Sequence, residues 1–296
     1  LSPEEIDFVA KDGGIDTVVT SRAFLAYLGR GPAIAAAVPR VLCLEDVAGS
    51  PWKKATLLAR GLFFSPRPAQ ETDLATLLYT SGTTGHPRGV LLTHRNIAVN
   101  IEQCREAVGF QPSDIVIQAL PMFHAFALTV TLGLPLACGG TGVAIKKFAP
   151  EPILDLVERH RATYLVAVPS MYRVLNHAQT LRPRRVGSLT TAVSGGEALP
   201  GEVRETFEQL FGLPILEGYG LSETSPVAVL NPRSANRPGS VGKPLASVEV
   251  RVASEEGAVL PAGAAGELHV RGPNVTRGYH NRPEETVELF AADGWM

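Results

Sequence analysis

Tyr164-Leu165-Val166-Ala167-Val168-Pro169-Ser170-Met171-Tyr172-Arg173-Val174-Leu175-Asn176-His177-Ala178 is one unit of the pattern that decides the fold. The apolar run 164–168 reads as a buried strand, and 170–178 as a helix. The same unit recurs on both sides. Upstream, strands are predicted over 115–120 and 142–145, each followed by a helix, 125–137 and 151–160. In the second of these helices Ile153, Leu154, Leu156 and Val157 turn inward. Downstream come a strand at 189–193, a helix at 201–211 and a strand at 215–216. Strands alternating with helices imply right-handed crossovers and a doubly wound parallel sheet. Such sheets bind ligands at the carboxyl ends of their strands.

The flanks read differently. Ser2, Pro3 and Glu5 open a helix with a capping box, and Gly13-Gly14 stops it. A strand over 15–20, a helix over 21–28 and a strand over 41–44 follow. The chain is thus expected to begin within an α/β alternation, with no strand ahead of its first helix. Residues 45–73, carrying Pro51, Pro66 and Pro68, read as an irregular connector. After Ser225, prolines punctuate short alternating runs at 248–252 and 267–270, which read as antiparallel β structure before a helix at 283–290. The expectation is two α/β subdomains, 1–110 (its N-terminal part missing) and 111–227, then a small, truncated β-barrel-like subdomain over 228–296.

Composition bounds the function. A net charge of −2 without a run of like charges argues against a nucleic-acid partner. Cys43, Cys104 and Cys138 are odd in number and far apart, which supports neither a disulfide framework nor a zinc site and fits a reducing compartment. No signal-peptide pattern opens the chain. Residues 115–145 lack Asp, Glu, Lys and Arg, yet Gln118, Pro121, His124, Pro135 and Gly139-Gly140 interrupt them, as suits a buried strand and helix. A cytoplasmic protein without a transmembrane segment is expected, with peripheral membrane contact left open.

Four clusters carry chemistry. Thr80-Ser81-Gly82-Thr83-Thr84-Gly85-His86-Pro87-Arg88-Gly89 follows an apolar strand, 74–79. Its glycines let backbone N–H groups face an anion at no steric cost, its hydroxyls add donors, and Arg88 adds a fixed charge. This suits a polyphosphate, although the Walker A spacing is absent. With few apolar anchors, the loop is expected to be the most mobile one near the site when no nucleotide is bound. The other clusters are Pro121-Met122-Phe123-His124, Ser194-Gly195-Gly196-Glu197 and Glu217-Gly218-Tyr219-Gly220-Leu221-Ser222-Glu223. The paired glycines admit a flat ligand against the backbone. Tyr219 can offer a ring face to a base, and Glu223 with Ser222 can serve a hard divalent cation that also touches phosphate. Taken singly, each has a blander reading: a loop histidine, a strand-to-helix turn, a solvated carboxylate.

Residues 80–89 resemble the phosphate loop of the adenylate-forming superfamily, which includes acyl-CoA synthetases, luciferases and peptide-synthetase adenylation domains. That loop usually ends Pro-Lys-Gly, and here it reads Pro-Arg-Gly. Phe123-His124, Gly195-Gly196-Glu197 and Tyr219-Gly220-Leu221-Ser222-Glu223 resemble the family's later motifs in the same order. Arg271-Gly272-Pro273, Gly278-Tyr279 and 281–286 resemble the barrel segment of fatty acyl-CoA synthetases. The resemblance implies ATP-dependent activation of a carboxylic acid, in this case a fatty acid, through an acyl-adenylate, with Mg2+ and coenzyme A as cofactors. An amino-acid or aryl-acid adenylation domain and an inactive nucleotide- or acyl-binding module are the alternatives. By the resemblance, ATP and AMP are bound by Thr80, Ser81, Gly82, Thr83, Thr84, Gly85, Arg88, Gly195, Gly196, Glu197, Glu217, Gly218, Tyr219, Gly220 and Ser222. The acyl substrate meets Phe123, His124, Ser194, Gly220 and Leu221. Catalysis falls to Arg88, His124, Ser222 and Glu223, and Glu223 also takes the metal. The family's ribose-binding Thr-Gly-Asp and its lysine-bearing closing domain are not found in this sequence. The chain is therefore expected to be an internal fragment, nearly inactive in adenylation and open to self-association at its N-terminal end.

Overall fold

The computed structural model describes residues 2–28, 38–48, 51–62, 65, 67–80 and 87–296. A seven-stranded sheet organises them. Five parallel strands, β5 (Ile115–Gln118), β6 (Thr141–Ala144), β7 (Tyr164–Ala167), β8 (Thr191–Ser194) and β9 (Ile215–Gly220), stand in the order β9-β8-β7-β5-β6. Alternate residues leave the sheet on opposite faces. Leu165 and Ala167 pack with Ile153, Leu154, Tyr172, Leu175, Val203 and Phe207, which come from the helices Pro150–His160, Pro169–Leu181 and Gly201–Phe211. Tyr164 and Val166 pack on the other face with Cys104, Val108, Ala127, Val130 and Leu134. Both faces are covered, as continuous apolar strands require.

The Tyr172 hydroxyl donates to Leu165 O at 3.0 Å and Val193 O at 2.9 Å, bracing β7 against β8. Burial pushes that phenol's pKa up.

The predicted helix over 125–137 is in fact two pieces. Residues Ala127–Gly133 form a wide turn in which the Leu134 N–H bonds back five residues to Thr129 O, and a short α-helix, Leu134–Cys138, follows. Such widened turns aim side chains differently from an α-helix and gather at functional sites.

Two expectations need correction. Residues 45–73 are not simply a connector: helices span Leu44–Ala48 and Pro51–Leu62. Proline is tolerated in a first helical turn, where its missing N–H costs nothing, so Pro51 opens a helix rather than breaking one. The antiparallel structure expected over 228–296 is also divided. Strands β10 (Val227–Leu230) and β11 (Lys243–Pro244) extend the large sheet antiparallel beyond β9, which makes it mixed. Only β12 (Glu249–Ala253) and β13 (Glu267–Arg271) pair as a separate ladder. Met296 adds to it by exchanging backbone hydrogen bonds with Val270.

At the N-terminal end Ser2 and Glu5 form the expected capping box on the helix Pro3–Asp12. Strands β1 (Thr17–Thr20) and β2 (Arg40–Cys43) pair in parallel. Strands β3 (Leu74–Thr80) and β4 (Arg88–Thr93) form an antiparallel hairpin.

Candidate active site

The hairpin β3–β4 carries the glycine- and hydroxyl-rich loop. Thr80 stands opposite Arg88 in register. Ser81, Gly82, Thr83, Thr84 and Gly85 lie outside the described residues, as does the expectation about the loop's mobility. Below the loop, the Tyr79 hydroxyl donates to Asp12 Oδ2 at 2.6 Å; burial, then that carboxylate, raise the phenol's pKa.

Thr93 ends β4 and caps the helix His94–Val108 through a capping box with Asn96. That helix reaches across to the rest of the site. Asn96 Nδ2 donates to Pro273 O and Val275 O at 2.8 and 2.9 Å. Fully buried Asn100 holds both polar groups of Val227: Nδ2 donates to Val227 O at 2.7 Å, and Val227 N donates to Oδ1 at 3.1 Å. Val227 lies just beyond the Tyr219–Glu223 segment, so this clamp fixes where β9's end and the turn after it sit.

A cavity of about 440 Å³ opens between this helix, the widened turn and the sheet face. Its mouth is formed by His124, Gly195, Gly196, Tyr219, Gly220, Leu221 and Ser222. Its inner part is apolar, lined by Cys104, Val108, Phe110, Val116, Leu134, Tyr164 and Val166 among others. Among the described residues no Lys, Arg, Asp or Glu lines it. Burial alone pushes the Cys104 thiol up to about 12, so this side chain is a neutral, apolar wall. Ser194 also lines the cavity; its Oγ is buried and has no hydrogen-bond partner among the described residues.

Several predicted residues stand elsewhere. Phe123 is 76% exposed, tilted on the His124 ring at 4.5 Å, and lines no part of the cavity, because residues 121–124 leave β5 as a surface turn. Glu197 is exposed and also outside the lining. Glu217 is buried and accepts from the Gly239 N–H at 3.3 Å; strand alternation turns it away from the face that Leu216 shares with the cavity. The glycines too have a reason that the sequence did not show. A Cβ on Gly220 would sit 1.8 Å from Pro226 O, and one on Gly218 3.1 Å from Val229 O, so β10 approaches β9 too closely for a side chain. Gly196 does have φ +86° and belongs to the mouth.

Glu223 lies in the turn Ser222–Thr224 after β9. Its Oε1 accepts from the Tyr279 hydroxyl at 2.8 Å, and its backbone O accepts from the Thr276 N–H at 2.7 Å. Burial, then Glu223, push the Tyr279 phenol up to about 12, so it remains a donor at neutral pH. The Arg88 guanidinium lies over the Tyr279 ring at 5.5 Å and forms an ion pair with Glu285. Tyr279, Thr276 and Glu285 are not singled out for this role by sequence; they lie some 190 residues from Arg88, and the resemblance of 271–273, Gly278-Tyr279 and 281–286 to a barrel segment marks only the stretch. Among the described residues no group of three or more His, Cys, Asp or Glu could hold a metal. A single carboxylate suits a hard cation such as Mg2+, which keeps waters and shares the ligand's phosphate oxygens.

The matching family model, that of the AMP-binding enzymes, covers residues 1–280. The chain belongs to the AMP-binding enzyme family. Among its relatives, a long-chain-fatty-acid–CoA ligase of Bacillus subtilis (strain 168) is 38% identical over 235 residues, which is 78% of this chain and 42% of that protein. A sulfoacetate–CoA ligase of Cupriavidus necator is 36% identical over 236 residues, 78% of this chain and 46% of that protein. Among solved structures, ATP-bound MatB from Rhodopseudomonas palustris superposes with a TM-score of 0.87 at 33% identity, covering all of this chain and 58% of that one. The chain thus spans somewhat under half the length of these curated relatives of the AMP-binding family. No helix among the described residues is long and apolar enough to cross a membrane.

Proposed function

We propose that this chain forms the nucleotide- and acid-binding part of an ATP-dependent acid–CoA ligase whose acid is apolar, in the first instance a fatty acid. The observation that carries this reading is the continuity of the cavity beside the helix His94–Val108. It joins the Gly195-Gly196 and Tyr219–Ser222 mouth to an apolar interior that no charged side chain among the described residues lines. Its volume falls within the usual range for small-molecule sites. The mouth suits an adenylate: Tyr219 offers a ring face and Ser222 a hydroxyl. The interior suits hydrocarbon, since a carboxylate or sulfonate buried there would lack a counter-charge.

In this reading the acid's oxygen attacks the α-phosphorus of ATP, pyrophosphate leaves, and the acyl-adenylate passes its acyl group to the thiol of coenzyme A, which loses its proton as AMP departs. The chain's own groups orient the reactants. His124 stands at the mouth, Arg88 at the foot of the phosphate loop, and Glu223 is the carboxylate that would hold Mg2+. The cation would neutralise phosphate charge when bound. Positioning and charge neutralisation supply most of the rate in such transfers.

The test is calorimetric titration with non-hydrolysable acyl-adenylate mimics that differ only in the acyl group. Hexadecanoyl and octanoyl mimics are expected to bind tighter than the sulfoacetyl mimic by at least tenfold. Equal affinities would remove the apolar-acid assignment. No binding of any mimic would remove the adenylate reading altogether.

A further inference from the structure

We propose that Tyr279 is a positioning residue that sets the phosphate-loop cation and the cation-binding carboxylate in fixed relation to one another. The inference rests on the nucleotide reading above. Three stretches of chain, far apart in sequence, meet at this one side chain. Its hydroxyl donates to Glu223 Oε1 at 2.8 Å, and its ring lies under the Arg88 guanidinium at 5.5 Å. Arg88 itself stands opposite Thr80, at the foot of the phosphate loop.

Tyr279 is held firmly enough to do this. It is 8% exposed. Its N–H donates to Thr286 Oγ1 at 3.0 Å. Its neighbours are laced to β4: Leu91 N donates to Gly278 O at 3.0 Å, and His280 N to Gly89 O at 2.8 Å. Val90 and Tyr279 face one another across that bridge. The ring therefore moves with β4, the strand that carries Arg88. The hydroxyl carries that position on to Glu223, which also hangs from the Thr276 N–H through its backbone O. Glu285, from the helix Pro283–Leu289, steadies the guanidinium from another side, with Arg282 Nε 3.7 Å from its second oxygen.

The two contacts have separate consequences. The hydroxyl fixes the carboxylate, so its loss should be felt in how the divalent cation helps nucleotide to bind. The ring fixes the cation, so its loss should be felt in nucleotide binding even without metal. Tyr279→Phe removes only the first; Tyr279→Leu removes both.

ATP binding to the 296-residue chain is titrated by calorimetry with and without Mg2+. The set comprises wild type, Tyr279→Phe, Tyr279→Leu, Glu223→Ala and the double variant Tyr279→Phe/Glu223→Ala. For Tyr279→Phe we expect about a tenfold loss of affinity with Mg2+, and a change within twofold without it. Tyr279→Leu should weaken binding in both conditions. In the Glu223→Ala background Tyr279→Phe should change nothing, which a merely structural role would not produce. A Tyr279→Phe protein with the wild-type Mg2+ dependence would overturn the proposal, as would an equal loss when Glu223 is absent. A wild-type chain that binds no ATP would refute the nucleotide reading itself, and this inference with it.

Discussion

Replacing Asn100 by alanine should loosen the site from behind without touching any residue of its motifs. Asn100 is fully buried and makes three hydrogen bonds. Alanine removes all of them. Val227 O keeps a second donor, Asn274 Nδ2 at 3.1 Å, and is partly satisfied. The Val227 N–H and Gln103 Oε1 each lose a partner, though Gln103 Nε2 still donates to Ala246 O at 2.6 Å. A buried donor left unsatisfied costs about 1–3 kcal/mol, and the space left by the amide adds to this. A total near 3 kcal/mol follows, offset slightly by alanine's better helix propensity. For a chain of this size that lowers the melting temperature by roughly 6–12 °C. Thermal unfolding followed by circular dichroism measures it. Arg105→Ala is the control, because the Arg105–Glu102 pair on the same helix is solvent-exposed and contributes little. An Asn100→Ala protein that melts with the control would show that Val227 is held by its sheet neighbours and that the clamp carries no weight.

Other outcomes are equally direct. Tyr219→Ala should weaken binding of an acyl-adenylate mimic more than Phe123→Ala, because Tyr219 lines the cavity while Phe123 faces solvent; a lost base-stacking partner costs about 1–3 kcal/mol, and equal losses by calorimetry would displace the adenine from Tyr219. Cys104→Phe should shorten the chain that the cavity accepts. Each methylene kept out costs about 0.8 kcal/mol, so three would weaken a hexadecanoyl mimic by roughly 60-fold and leave an octanoyl mimic almost unchanged. The Cys104 thiol should resist alkylation at pH 8 while the protein is folded, as thiol counting by mass spectrometry would show. Its pKa is raised from 9.0 to about 12 by burial, so the unfolded chain gives up this proton first. Stability present below pH 9 should therefore decline as pH rises towards 12, by about 1.4 kcal/mol per pH unit from this group. Cys104→Ala should flatten that decline in alkaline denaturation curves, and an unaltered slope would refute the assignment.

The large sheet was legible because its inner strands are buried on both faces and so read as apolar runs, as at 164–168. The helix Gly201–Phe211 was equally plain. What escaped the sequence depended on partners far along the chain. Strand β10 resembles a free antiparallel run until Gly218 and Gly220 are seen to admit it alongside β9. Glu217 sits in the midst of a binding motif, yet the alternation of β9 turns it towards Gly239. The helix after Pro51 was hidden because proline marks both helix starts and irregular chain. At the site, the order of motifs was readable, but the tie between Arg88, Tyr279 and Glu223 was not, since nothing local links residues so far apart.

The backbone between Asn274 and His280 has a bearing on how such enzymes can be recombined. Asn274 Nδ2 donates to Thr224 O at 2.8 Å, and its own carbonyl accepts from Ser225 Oγ at 2.8 Å. The Thr276 hydroxyl donates to Leu91 O at 2.6 Å, and the His280 ring lies 2.9 Å from Asp12 O. A stretch of seven residues is thereby stitched to the first helix, to the hairpin and to the turn bearing Glu223. A crossover placed between the last recognisable motif and β12 would look harmless in an alignment. It would nonetheless join two halves whose seams were cut for other partners. Exchange between relatives should therefore carry 274–280 together with the hairpin it grips, whichever parent supplies the rest.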